Sequence, residues 1–302
     1  MRLRVDKYEA YLILSSFIWG TSFVASKIGV DEVDPFLFAM MRFLIAAPFL
    51  LAVTIFLRSF DAAVYRDGMI WGIGTLNAVG LVLQNVGLTM TSATNTVLLV
   101  DINVVYVAVL ASILLKESLG RFTLVGLGLG LLGVLVVSTG GDLSRLADGS
   151  LTGNLIVLLA GLVWAFYIVY QKKALQRHPN VLNMTSGVIV TTLVASLPMA
   201  VIFAQDYKIS LNGFFAVAYV ALFCTGAAFL LYIAGLKGKG ATVSSIILLL
   251  EIVFAMFFAF LILGEVPDAL TAIGAGLIVS AIILVSIQEN SNGKKNEKKS
   301  EG

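Results

Sequence analysis

Long apolar runs separated by short polar breaks dominate the pattern of this chain. Ten such runs stand out, each near the roughly 20 residues a helix needs to cross a hydrocarbon layer of about 30 Å. They are Tyr8–Val30, Pro35–Leu57, Gly68–Leu88, Ser92–Leu115, Phe122–Thr139, Leu151–Ala174, Val181–Ala204, Leu211–Leu236, Ala241–Leu263 and Ala269–Ile287. Short linkers suit a compact bundle, so the pattern predicts an all-α polytopic membrane protein with ten transmembrane helices. The tightest link follows the third run, where Thr89, Met90 and Thr91 leave little room for a turn. The basic start, Arg2, Arg4 and Lys7, precedes a run too long for a signal-peptide core, so the first run reads as a retained span. Residues 289–302 carry no apolar content and are expected to form a disordered tail.

Composition narrows the function. The chain is 59% hydrophobic and only 13% charged, against about 25% charged in soluble domains. That excludes a cytosolic enzyme, a nucleic-acid binder and a disordered chain. One cysteine, Cys224, permits no internal disulfide. The one histidine, His178, sits in a polar Gln-Arg-His-Pro-Asn stretch. A zinc site needs about three or four ligands, so neither a metal nor another cofactor is expected, and an intramembrane hydrolase is the weakest reading.

Charge fixes an expected orientation. With ten spans and the N-terminus inside, 16 Lys and Arg residues fall in inside segments and two, Arg145 and Lys208, in outside loops. Cytoplasmic loops collect cations, so both termini are expected in the cytoplasm of a protein in the cell membrane.

An internal repeat sharpens this. Ala93 to Ser138 aligns without a gap on Ala241 to Ser286, matching Glu117 with Glu265 and Gly126 and Gly128 with Gly274 and Gly276. Trp19 and Lys27 match Trp164 and Lys172, each pair eight residues apart. The repeats would be residues 1–140 and 141–288. Five spans per repeat is an odd number, so the second must enter the membrane from the opposite side. Inverted repeats are an architecture of secondary transporters, with the solute site between the halves.

The motifs also carry a resemblance. Span one contains Phe17-Ile18-Trp19-Gly20-Thr21-Ser22-Phe23-Val24-Ala25-Ser26-Lys27, and span two Pro35-Phe36 and Met41-Arg42-Phe43-Leu44. Span six has Leu162-Val163-Trp164-Ala165-Phe166-Tyr167, and span nine runs from Leu248 through Glu251 to Ala255, followed by Leu263-Gly264-Glu265. Together these resemble the EamA family of the drug/metabolite transporter superfamily. The resemblance implies ten spans, cytoplasmic termini, and export or exchange of small metabolites such as amino acids. The chain departs from the family pattern at Ile252 and Val104, where a proline is common, and at Asp101, where an apolar or aromatic residue is usual.

Charges inside a span are costly and usually face a cavity or a partner. Arg42 and Asp101 lie at similar depth and are candidate ion-pair partners. Glu251 has no cation at its level and is the candidate coupling carboxylate; the alternative is a protonated helix contact. Polar and aromatic positions also fall in stripes at helical spacing. The candidate solute-binding residues are Trp19, Asn77, Gln84, Asn103, Trp164, Tyr167, Gln171 and Tyr232, with interhelical packing as the alternative. Pro48 and Pro198 are candidate hinges. The expected function is alternating-access transport of zwitterionic or cationic solutes, amino acids foremost; a lipid or lipid-linked flippase of the same superfamily is the alternative. The partners expected are a small-molecule solute and the lipid bilayer, not nucleic acid, and the glycines Gly126, Gly128, Gly130 and Gly133 leave a homodimer open.

Overall fold

The computed structural model describes residues 5–30, 32–91, 93–147, 150–264 and 266–300, residues 289–300 and some helix positions by backbone alone. Glu265 and the side chains of Ser26 and Lys27 lie outside the described residues. The described residues are helical between short links. In chain order the helices are α1 (Lys7–Val30), α2 (Pro35–Phe56), α3 (Ala62–Arg66), α4 (Gly68–Met90), α5 (Ala93–Asp101), α6 (Asn103–Leu114) and α7 (Arg121–Thr139). There follow α8 (Leu151–Arg177), α9 (Val181–Phe203), α10 (Leu211–Tyr219), α11 (Ala228–Gly238), α12 (Ala241–Leu248), α13 (Leu250–Phe258) and α14 (Ala269–Ser300). Among the described residues, nine segments are long and apolar enough to cross a membrane, the first starting at Phe36. The 24-residue α1 precedes them.

The ends of these helices are set by local chemistry. Asp34, Asp67, Ser150, Asn180 and Ser210 each cap a helix by accepting from backbone N–H groups of its first turn, the preferred use of such short polar side chains. The tight turn after α4 is held from outside: Ser150 donates through N and Oγ to Met90 O, at 3.1 and 2.9 Å. The last helix does not stop at Ile287 as the apolar pattern predicts. It runs to Ser300, through Lys, Glu and Gln residues that are themselves good helix formers.

Three interruptions matter for the site. The fourth apolar run is split at Ile102 and the ninth at Leu249, each in one tightened turn, with Val105 N bonded to Ile102 O and Ile252 N to Leu249 O. In the aligned repeats these two positions differ by one residue. The third is the wide π-helical segment Val220–Ala227, which joins α10 to α11. By contrast, α2 and α9 continue through Pro48 and Pro198. The two tightened turns therefore lie beside the intramembrane carboxylates, and none of the three interruptions lies at the prolines.

Packing joins the chain's first and second parts throughout. α1 lies against α11 and α13, α2 against α9, α4 against α8 and α9, and α7 against α14. The α7 and α14 backbones touch: a Cβ on Gly133 would sit 2.7 Å from Gly274 O. That assigns Gly133 to an internal seam, where small residues allow close helix approach. A buried core fills the end of the bundle bearing the N-terminus. There Leu12, Ile70, Ile233, Leu236 and Ile247 are fully buried. Farther along, no residue from Leu81 to Val86 or from Val97 to Asn103 is fully buried. Leu81 and Gln84 of the first stretch and Val97, Val100, Asp101 and Asn103 of the second face open space inside the bundle.

Candidate functional site

The open space between these stretches is a cavity of about 270 Å³ inside the bundle. It is lined by residues of α1, α2, α4, α5, α6, α8, α11, α12 and α13. Six of the eight sequence-predicted solute-binding residues line it: Trp19, Asn77, Gln84, Asn103, Trp164 and Tyr167. So do all three intramembrane charges, Arg42, Asp101 and Glu251. Gln171 and Tyr232 do not; they are buried beside it. Pro48 and Pro198 are also outside the lining. Among the described residues no group of three His, Cys, Asp or Glu side chains could hold a metal ion.

The polar groups are arranged in two ways. Some are held by the protein. Trp19 Nε1 donates to Cys224 O at 2.8 Å, and Arg42 Nε donates to Thr225 Oγ1 at 2.9 Å. Both acceptors sit in the π-helical segment. Its wider turn breaks the regular helical ladder, which leaves backbone groups free to bond elsewhere. Trp164 Nε1 donates to Gln84 Oε1 at 3.2 Å, and Asn77 Nδ2 to Thr192 Oγ1 at 3.1 Å. With both indole N–H groups occupied, the tryptophans offer the cavity ring surface. The rings of Trp164 and Tyr167 meet edge to face at 5.4 Å, and those of Trp19 and Phe229 at 5.3 Å.

The other polar groups are left open. Asn77 Oδ1 is fully buried and has no hydrogen-bond partner. Arg42 and Asp101 do not form the ion pair that their depths suggested. The guanidinium bonds instead to Thr225. Asp101 and Glu251 are electrostatic neighbours, a like-charge pair in one cavity. The cavity thus presents carboxylate and amide acceptors, aromatic walls and a guanidinium with its terminal nitrogens unbonded. Such a set can hold an ammonium group at one point and a carboxylate at another.

The profile of the EamA-like transporter family matches residues 7–139 and again residues 151–287. The chain belongs to the EamA-like transporter family. Its class of activity is therefore transport in a membrane, not catalysis. Among EamA relatives, an uncharacterized transporter of Archaeoglobus fulgidus is 27% identical over 94% of this chain and 99% of its own length. The uncharacterized transporter YyaM of Bacillus subtilis is 28% identical over 91% of this chain and 93% of its own. The uncharacterized inner membrane transporter YedA of Escherichia coli K12 is 27% identical over 89% and 87%. A solved crystal structure superposes with a TM-score of 0.80 at 18% identity, covering 93% of this chain and 96% of that one. That likeness shows a shared fold.

Sequence reasoning missed several residues of this EamA cavity. Thr225 and Cys224 hold Arg42 and Trp19, yet neither stands out in an apolar run. Ser22 and Ser245 line the cavity with Phe43 and Phe229. Ser22 lies three residues from Trp19, on the same helix face; the other three carried no signal distinct from packing.

Proposed function

We propose that the chain is a secondary transporter that moves small zwitterionic or cationic organic solutes across the cytoplasmic membrane by alternating access. Amino acids are the first class to test, as exported or exchanged solutes. The observation that carries the reading is the cavity itself: an arginine and two carboxylates face it from a bundle otherwise built of apolar helices. Charged groups in a membrane interior are kept where they serve a pathway. The two repeats, 1–140 and 141–288, would be ten spans in inverted halves, with the α5–α6 and α12–α13 breaks bringing the carboxylates to the midplane. The charge distribution supports cytoplasmic termini. Arg42 would take the solute carboxylate; Asp101 and Glu251 would take its ammonium group.

The test is uptake of a radiolabelled amino-acid mixture into proteoliposomes, with and without a proton gradient, for the wild type and Glu251→Gln. Saturable uptake whose gradient dependence falls by about tenfold in the variant supports Glu251 as a coupling group. Saturable uptake indifferent to the gradient in both proteins keeps the transporter and removes the coupling role. Uptake of a phosphorylated sugar without competition by amino acids would overturn the solute class, since that anion wants more buried cations.

A further inference from the structure

On the N-terminal side of the cavity lies a group of buried polar side chains that make no hydrogen bond to one another or to other described residues. Tyr167, Gln171 and Tyr232 are 3%, 0% and 1% exposed. Among the described residues, Tyr167 Oη, Tyr232 Oη and both amide atoms of Gln171 have no hydrogen-bond partner. They form one cluster. Gln171 is one helical turn beyond Tyr167 on α8, beside its hydroxyl but without hydrogen-bond geometry. Tyr232 of α11 is an electrostatic neighbour of Tyr167, and its ring stands 5.5 Å from that of Trp19. Trp19 and Tyr167 also line the cavity, so the cluster continues the cavity toward the N-terminal end. Unpaired amide and hydroxyl groups are costly in a membrane interior. Their retention is explained if a second arrangement of the molecule satisfies them.

The end of the bundle beyond this cluster is clasped across the two parts of the chain. Lys239, in the link between α11 and α12, has a side chain only 4% exposed. Its Nζ lies 2.8 Å from Asp6 Oδ2 and 3.0 Å from Glu9 Oε1, at the start of α1. Glu117, in the link between α6 and α7, accepts from Ala241 N at 2.6 Å, Thr242 N at 3.2 Å and Thr242 Oγ1 at 3.1 Å. It thereby caps α12 from the other half. Both links span the seam that must part if the pathway opens at this end.

We propose that Tyr167, Gln171 and Tyr232 form a second, inner solute subsite, closed in this conformation, and that the Lys239 clasp on Asp6 and Glu9 keeps it shut. The assignment rests on the transport reading of the cavity. An amide and two phenol hydroxyls offer hydrogen bonds without net charge. The inner subsite therefore suits the uncharged polar part of the same solute, and holds it less tightly than the charged cavity above.

The experiment reads accessibility and needs no solute, so it succeeds or fails apart from any uptake assay. In a Cys224→Ala background, single cysteines replace Gln171 (Gln171→Cys) or, in the open cavity, Gln84 (Gln84→Cys). A membrane-impermeant maleimide is applied to either face of reconstituted protein, with the clasp intact or weakened by Lys239→Met. The expected result is an increase of about tenfold in labelling of Gln171→Cys from the N-terminal face, and a fall at Gln84→Cys from the opposite face. Glu9→Gln, which leaves the Asp6 bridge in place, should move both rates the same way by less, and it carries the test if Lys239→Met does not fold. Labelling of Gln171→Cys that stays within about twofold of the intact clasp in folded protein overturns the proposal. The orphaned groups would then belong to a static interior.

Discussion

At the residue scale, the glycines separate by what a side chain would meet. Gly133 lies against the α14 backbone, whereas Gly128 and Gly276 have open space where a Cβ would go. Gly133→Ala should therefore destabilise the protein by about 1–3 kcal/mol, the usual effect of overpacking. Gly128→Ala should be neutral or stabilising by about 0.5–1 kcal/mol, because alanine restricts the unfolded chain. Thermal unfolding in one detergent compares the two directly. Ser150 makes a second case. It caps α8 through Gly153 N and holds Met90 O across the link, so Ser150→Ala should cost about 1–2 kcal/mol in the same measurement. Such roles differ in how legible they were. Trp19, Asn77, Gln84 and Trp164 could be found because helical spacing puts polar residues on one face. Gly133 and Gly128 look alike in sequence, since two glycines in one apolar run differ only in what a neighbouring helix brings against them.

At the element scale, the clasp between the start of α1 and the α11–α12 link has a defined pH range. Burial favours the neutral form of Lys239, but its bonds to Asp6 and Glu9 outweigh that and raise its pKa above the ordinary 10.5. Burial likewise acts against the Asp6 carboxylate, yet Lys239 and the backbone N–H groups of the first turn bring its pKa below the ordinary 3.8. A raised lysine contributes stability that is lost only as pH rises through its folded value. A lowered aspartate contributes stability that is lost only as pH falls through its folded value. The clasp should therefore hold without change between about pH 5 and 9. Labelling of Gln171→Cys from the N-terminal face should be flat across that range once corrected for maleimide chemistry. A steep rise within it would show that another group controls the closed end. The elements themselves were mostly readable. Apolar runs near 20 residues mark spans without any knowledge of contacts, and the nine apolar segments fall on runs predicted from the pattern. The splits at Ile102 and Leu249 and the π-helical turn were not readable, because the neighbouring Asp101, Asn103, Glu251 and Thr225 mark polar positions in an apolar run and not a change in helical turn.

At the scale of the whole molecule, one conformation is on view: a cavity within the bundle, and a clasped end on its N-terminal side. The partners of the clasp are 230 residues apart in the chain, and no local pattern could join them. Gln171 and Tyr232 illustrate the same limit. Gln171 was placed by its stripe with Trp164 and Tyr167, and Tyr232 by its aromatic ring, but neither signal gives the depth at which the two halves close. If solute draws the molecule toward the other arrangement, saturating solute should slow labelling of Gln84→Cys in the wild type, by a factor set by its preference for the two states. A solute that merely shields the residue would slow it too. Only a change of state would also raise labelling of Gln171→Cys from the N-terminal face.

The widened turn Val220–Ala227 has one further consequence. A π-type turn holds one residue more than the α-helix around it, so it works as a phase shifter. Everything from Ala228 to Lys239 is rotated by about 100° from where an unbroken helix would place it. Deleting one residue within the turn would give a more regular helix and a worse protein. Tyr232 would leave Trp19, and Lys239 would swing out of reach of Asp6 and Glu9. The irregularity sets the angular registration between the cavity and the closed end, and the more ideal helix would uncouple them.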